Sequence, residues 1–157
     1  MYHRLTPPSL PRRANRFCSS CKEHRRAIKK MQFWKLPDIL VLHLKRFEWR
    51  NAYFGGKINA LVDFPLNGLD MSPHVVEGSP CGGSDESLLY DLVGVSNHFG
   101  VMGGGHYTAF ARDLREKGVR EKGRWIHFDD SRFEVVDEDE VVTEAAYLLF
   151  YQRRNHQ

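Results

Sequence analysis

Cysteine is scarce in this chain of 157 residues, with only Cys18, Cys21 and Cys81 present. An odd number cannot close a complete disulfide framework, so the fold must be held by burial and hydrogen bonding. No apolar run approaches the ~20 residues that a membrane helix needs, and the first residues lack the hydrophobic centre of a signal peptide. The expectation is an intracellular protein, of the cytoplasm or nucleus, with no membrane partner. Net charge is also small, at +3, too little to argue for nucleic acid. The basic residues crowd the front, from Arg12 and Arg13 through Arg25, Arg26, Lys29 and Lys30. No RNA-binding aromatic signature accompanies them, so they read as a solvated face and no nucleic-acid partner is expected. Internal repeats are absent and helical periodicity is rare, which leaves strands to carry the core.

What is present suffices for one globular domain: 27% of residues are charged and 41% hydrophobic, the balance of an ordinary soluble protein. Residues 1–16, with Pro7, Pro8 and Pro11 among basic side chains, read as a disordered arm. Residues 17–154 form the domain, and 155–157 a tail. Asp38 to Phe47 is the strongest strand signal, its near-continuous branched apolar run predicting a central strand covered on both faces. Glu48 to Lys57 reads as a loop or loose hairpin, Ile58 to Phe64 as a short strand, and Ser79 to Ser87 as a site of insertion or disorder. Five further strands are expected at Tyr90–Ser96, Tyr107–Arg112, Arg124–Phe128, Phe133–Val136 and Ala146–Gln152. Asp137 to Thr143 fits one or two helical turns. Closely spaced strands with short connections predict an α+β, β-rich fold built mainly on an antiparallel sheet.

His106 is the residue with the most chemical potential. A histidine becomes an effective base near neutral pH when a carboxylate fixes its tautomer and stabilises the imidazolium. If the segments flanking Lys117-Gly118-Val119 pair as an antiparallel hairpin centred near Gly118, His106 faces about residue 130, bringing Asp129 or Asp130 within reach. Gly103, Gly104 and Gly105 directly before it suit a flexible loop beside a ligand better than a core strand.

Four blocks in order carry a family resemblance. They are Cys18-Ser19-Ser20-Cys21; Leu36-Pro37 leading to His43-Leu44-Lys45-Arg46-Phe47; Gly103 through Phe110; and Trp125 through Ser131 with the closing Ala146 to Tyr151. Together, over Cys18 to Arg154, they resemble the C-terminal half of the ubiquitin-specific protease domain, a papain-like cysteine protease family. The run Tyr90 to Gly100 is most similar to the branch with ubiquitin-like modules and a large insertion. The resemblance implies the palm and part of the fingers of such a domain, and a thiol protease that cleaves after the C-terminal glycine of ubiquitin. It assigns the base to His106 and its orienting acid to Asp129, with Asp130 as supporting or alternative acid.

It further implies a narrow groove for the ubiquitin tail at Phe47, Gly104, Gly105 and Tyr107, for which plain sheet packing of the two aromatics is the competing reading. Two gating loops would correspond to Glu48–Lys57 and Val101–Gly105. The family's nucleophile block, resembling Asn-x-x-Asn-Thr-Cys, has no counterpart here, and Cys81 matches none of its catalytic positions. Cys18 and Cys21 correspond to half of a zinc site, whose other pair is likewise missing. His24 is a weaker third ligand candidate, and a structural zinc requires ligands from outside this chain. The expectation is therefore the C-terminal portion of a deubiquitinase, with no catalytic cofactor. Its partners would be ubiquitin, ubiquitinated proteins and the N-terminal half of the catalytic domain. A catalytically inactive ubiquitin-binding or scaffold module is the alternative.

Overall fold

The computed structural model describes residues 3–4, 12–49, 55–80, 88–113 and 123–154. In chain order the strands are β1 (His3–Arg4), β2 (Arg12–Cys18), β3 (Glu23–Lys29), β4 (Ile39–His43), β5 (Phe47–Trp49), β6 (Gly55–Lys57), β7 (Val62–Asp63) and β8 (Leu69–Asp70). They continue as β9 (Leu89–Val101), β10 (Gly104–Asp113), β11 (Arg124–Asp129), β12 (Arg132–Val136) and β13 (Ala146–Arg153). The helical turns at Ser72–His74 and Glu138–Glu140 are each a single 3-10 turn. The second of these lies inside the expected helical stretch and is closed by a capping box between Asp137 and Glu140.

One antiparallel sheet, ordered β12-β11-β10-β9-β13-β4 with β8 also on β9, forms the body of the fold. Alternation along its strands decides which residues meet. Val95, Phe110, Trp125, Leu149, Tyr151 and Leu40 are all nearly fully buried on one face. Phe64, Met71 and Val141 from the connecting segments close over them. Distant segments are tied in by polar anchors. The guanidinium of Arg46, 2% exposed, donates to the carbonyls of Ala146, Ile58 and Ala60 at 2.5, 2.9 and 2.8 Å. Tyr151 donates its hydroxyl to the Pro65 carbonyl at 2.8 Å.

Two expectations need correction. The run Asp38 to Phe47 contributes β4 at the edge of the sheet, not a central strand: Leu40 points to the core, while Ile39 and Val41 are each 48% exposed. A continuous apolar run reports that both faces are apolar, not that both are covered. On the same outer face Phe128 stands opposite Phe133 and Ile126 opposite Val135, with Phe128, Phe133 and Val135 exposed. Residues 12–16 are also not part of an irregular arm. They run as β2 against β3, Arg12 opposite Lys29 through Cys18 opposite Glu23. The intervening turn closes through the Lys22 N–H donating to the Cys18 carbonyl at 2.7 Å, with Lys22 at φ 55. The remainder of the expected arm at 5–11, the segment 81–87 with Cys81, and the tail at 155–157 lie outside the described residues.

Candidate active site

The site grows from the β9–β10 hairpin. Its turn is two residues long, Met102-Gly103, with Gly103 at φ 101 and Gly100 at φ 110, conformations that glycine adopts without strain. The expected loop over Val101–Gly105 is thus shorter than the glycine run suggests: Gly104 and Gly105 belong to β10, paired with Val101 and Gly100. Lack of a side chain lowers strand propensity, but here the ladder supplies the order. At Gly105 the backbones come too close for any other residue. A Cβ there would lie 2.1 Å from the Phe99 carbonyl oxygen and 2.5 Å from Nε2 of His98. At Gly104 a Cβ meets nothing within 4 Å.

β10 then delivers His106 to β11. The observed register sets Ala109 opposite Phe128 and Asp113 opposite Arg124, one residue from the register expected for a hairpin centred on Gly118. That single step decides between the two acids, because residue faces alternate and a one-residue slip exchanges them. Asp129 falls on the face of His106 and accepts a hydrogen bond from its Nε2 at 2.5 Å. Asp130, in the turn after β11 at φ 52, makes no hydrogen bond to the ring and acts only through its charge. The bond to Asp129, offset by partial burial and aided by both carboxylate charges, raises the imidazole above its ordinary value. His106 and Asp129 remain about half exposed, at 47% and 45%. Nδ1 of His106 has no partner among the described residues.

Beside this pair is a cluster of rings. Phe47 lies 5.4 Å from His98 and 5.8 Å from Tyr147, and Tyr107 lies 4.8 Å from His98 and 6.4 Å from Tyr147. Phe47, Gly105 and Tyr107 are therefore brought together, while Gly104 is open beside them. The sequence assigns no role to Lys57, to His98 within the Tyr90 to Gly100 run, or to Tyr147 within the closing block. Tyr147 is the extra residue of a β-bulge between the pairs Ala146–Asn97 and Leu148–Ser96, a device that re-aims a side chain. The start of β6 also meets the β9–β10 turn, since a Cβ on Gly55 would lie 2.6 Å from the methyl carbon of Met102.

Cys18 and Cys21 stand at the tip of the separate β2–β3 hairpin as free thiols. Hydrogen bonds from Cys21 and Ser20 lower the Cys18 thiol below its usual range. Among the described residues no further His, Cys, Asp or Glu joins them in a cluster of metal-ligand geometry, and the ring of His24 packs edge-on to Phe17 instead. Two donors do not fit a closed zinc site, which needs four.

A profile of the family described as "Ubiquitin carboxyl-terminal hydrolase" matches residues 13–151. The chain is 47% identical over 141 residues to human ubiquitin carboxyl-terminal hydrolase 15, covering 88% of this chain and 13% of that protein. It is 50% identical over 137 residues to ubiquitin carboxyl-terminal hydrolase 9 of Arabidopsis thaliana, covering 87% and 14%. The chain thus spans about a seventh of the curated relatives it matches. Among solved structures it is similar to a yeast SAGA DUB module carrying an Sgf73 mutant, with a TM-score of 0.72 at 33% identity, covering 91% of this chain and 29% of that one. The SAGA DUB module bound to monoubiquitin superposes with a TM-score of 0.71 at 32% identity, covering 93% and 30%.

Proposed function

The chain belongs to the ubiquitin carboxyl-terminal hydrolase family, and from that membership we propose that its His106–Asp129 pair serves hydrolysis of the (iso)peptide bond after the C-terminal glycine of ubiquitin. The observation that carries the reading is the 2.5 Å bond from Nε2 to Asp129. With Nε2–H donating to the carboxylate, Nδ1 is left as the acceptor, and a thiol placed against it loses its proton to the ring. The thiolate attacks the glycine carbonyl, and the imidazolium, stabilised by Asp129, returns its proton to the departing amine. In the second half-reaction the ring takes a proton from water, which releases ubiquitin and restores the thiol. Phe47, Gly104, Gly105 and Tyr107 border the path of the glycine-glycine tail.

The thiol in this scheme is neither Cys18 nor Cys21, which belong to a different hairpin, nor Cys81, which matches none of the family's catalytic positions. It comes from polypeptide outside these 157 residues, as do the partners that would complete a zinc site with Cys18 and Cys21. Ubiquitin is the proposed binding partner, supported by the ubiquitin-bound state of a structural neighbour.

A fluorogenic ubiquitin amide tests the proposal. The purified chain alone is expected to give no turnover, and addition of a polypeptide carrying an Asn-x-x-Asn-Thr-Cys block is expected to give turnover that His106→Ala abolishes. Turnover by the chain alone, or turnover with the added block that survives His106→Ala, overturns it. Ubiquitin binding at micromolar concentration without turnover in either arm would favour the inactive binding module.

A further inference from the structure

His98 is a buried titratable group that the proposed reaction does not use. It is 4% exposed, and its Nδ1 is buried with no hydrogen-bond partner. Three elements converge on its ring and a fourth on its backbone. β5 contributes Phe47 at 5.4 Å, β13 contributes the bulged Tyr147 at 6.0 Å, and β10 contributes Tyr107 at 4.8 Å. β10 also brings the backbone of Gly105, so close that a Cβ would lie 2.5 Å from Nε2 and 3.1 Å from Cε1 of His98. β6 contributes Lys57, whose ammonium donates to the His98 carbonyl. The backbone N–H of His98 is held in turn by the Ala145 carbonyl at 2.8 Å.

An imidazole so placed is disfavoured in its charged form, and its lining offers no compensating negative charge. The facing ionisable groups are Lys57 from β6, Tyr107 from β10 and Tyr147 from β13, and no carboxylate among the described residues acts on it. Burial and the Lys57 charge together push His98 below the ordinary imidazole value. A buried polar atom left without a partner is unfavourable, so the contribution of His98 lies in what its ring touches. What His98 touches identifies that contribution. Its ring is the floor beneath Gly105 and Tyr107, the residues on either side of His106.

We propose that His98 is a positioning residue for the His106–Asp129 pair, its buried ring setting the path of β10 at Gly105 and Tyr107 and thereby aiming the His106 imidazole at Asp129. The contact chain is short: His98 ring to Gly105 backbone, Gly105 to His106, His106 to Asp129. A fault in the floor reaches the pair as a weaker or longer Nε2–Asp129 bond. The proposal concerns the geometry of the pair, and its bearing on catalysis rests on the function proposed above.

NMR titration of the histidine ring protons in the full chain tests it without any nucleophile or ubiquitin, so its failure is distinguishable from failure of the proposed reaction. In the wild type, His106 is expected to titrate above the ordinary imidazole value of about 6.5. His98→Leu, which keeps bulk but loses the flat ring, is expected to drop the His106 midpoint toward that value. His98→Phe is expected to restore it, because the ring shape returns without the nitrogens. A purely structural role would lower the melting temperature in both variants while leaving the His106 midpoint of the folded protein unchanged, and that result overturns the proposal. Should His98→Leu not fold, the His98→Phe variant decides alone: a His106 midpoint at the ordinary value despite a retained ring refutes the positioning role.

Discussion

Adjacent glycines Gly104 and Gly105 should respond to the same substitution in opposite ways. At Gly105 an alanine methyl would sit 2.1 Å from the Phe99 carbonyl oxygen and 2.5 Å from His98 Nε2. Ordinary contact needs more than an ångström beyond the first of these, and the obstacle is backbone of the paired strand, held by the ladder from Gly104–Val101 to Ala111–Gly94. The strands must part locally or β10 must shift, and overpacking of this kind costs about 1–3 kcal/mol. For a chain of this size that corresponds to a melting temperature lower by roughly 2–4 °C for each kcal/mol. Gly104→Ala meets open space and should change stability by no more than about 0.5 kcal/mol.

Function separates the pair in the other direction. A methyl on Gly104 would lie on the same strand face as His106, beside the proposed path of the tail, and should weaken ubiquitin-tail binding in a protein of undiminished stability. Urea denaturation followed by tryptophan fluorescence, with ubiquitin titrations on the same samples, gives both readouts. Equal stability of Gly104→Ala and Gly105→Ala would refute the close-approach argument. Unchanged ubiquitin binding by a folded Gly104→Ala would remove that glycine from the groove.

Asp129→Asn should lower the His106 midpoint toward the ordinary imidazole value, measured by NMR titration. Because the folded-state value of His106 is raised, the stability contributed by its pairing is fully present below the unfolded value and is lost as pH rises through the folded one. The stability gap between wild type and Asp129→Asn should therefore close across that rise, and a gap that widens with pH contradicts the assignment. Trp125→Ala empties a site that is 1% exposed and strips the face over which the Arg112 guanidinium lies at 4.9 Å. Equilibrium unfolding should show a loss of about 3–5 kcal/mol. Zinc should not bind this chain stoichiometrically in calorimetry, and Cys21→Ser should leave the titration unchanged. Tight one-to-one binding lost in that variant would mean that further ligands join Cys18 and Cys21.

Much of the site was legible because its signals are local. The Gly103 to Phe110 run and the Trp125 to Ser131 run each identify a strand end with a polar tip, and a hairpin centred near Gly118 is enough to bring them together. The expected antiparallel, β-rich architecture is the one observed, since short apolar segments at Tyr90–Ser96, Arg124–Phe128 and Ala146–Gln152 with short connections between them favour neighbouring antiparallel strands. The β2–β3 hairpin was not legible. Its strands carry polar and basic residues in place of an alternating apolar pattern, and their pairing is fixed by the backbone turn at Lys22.

Legible from the residues alone were the strands that carry the site, the family, and the pairing of His106 with one of two neighbouring acids. Tertiary structure decided which acid. A register one residue from the simplest hairpin puts Asp129 on the face of His106 and leaves Asp130 in the turn. It also put β4 at an edge and bulged Tyr147 toward Phe47 and Tyr107, and it closed His98 beneath Gly105. The physical reason is common to all of these. Side-chain periodicity is written residue by residue, whereas register, strand order and bulges are set by contacts between segments far apart in the chain. Arg46 reaching the carbonyl of Ala146, a hundred positions away, is one such contact.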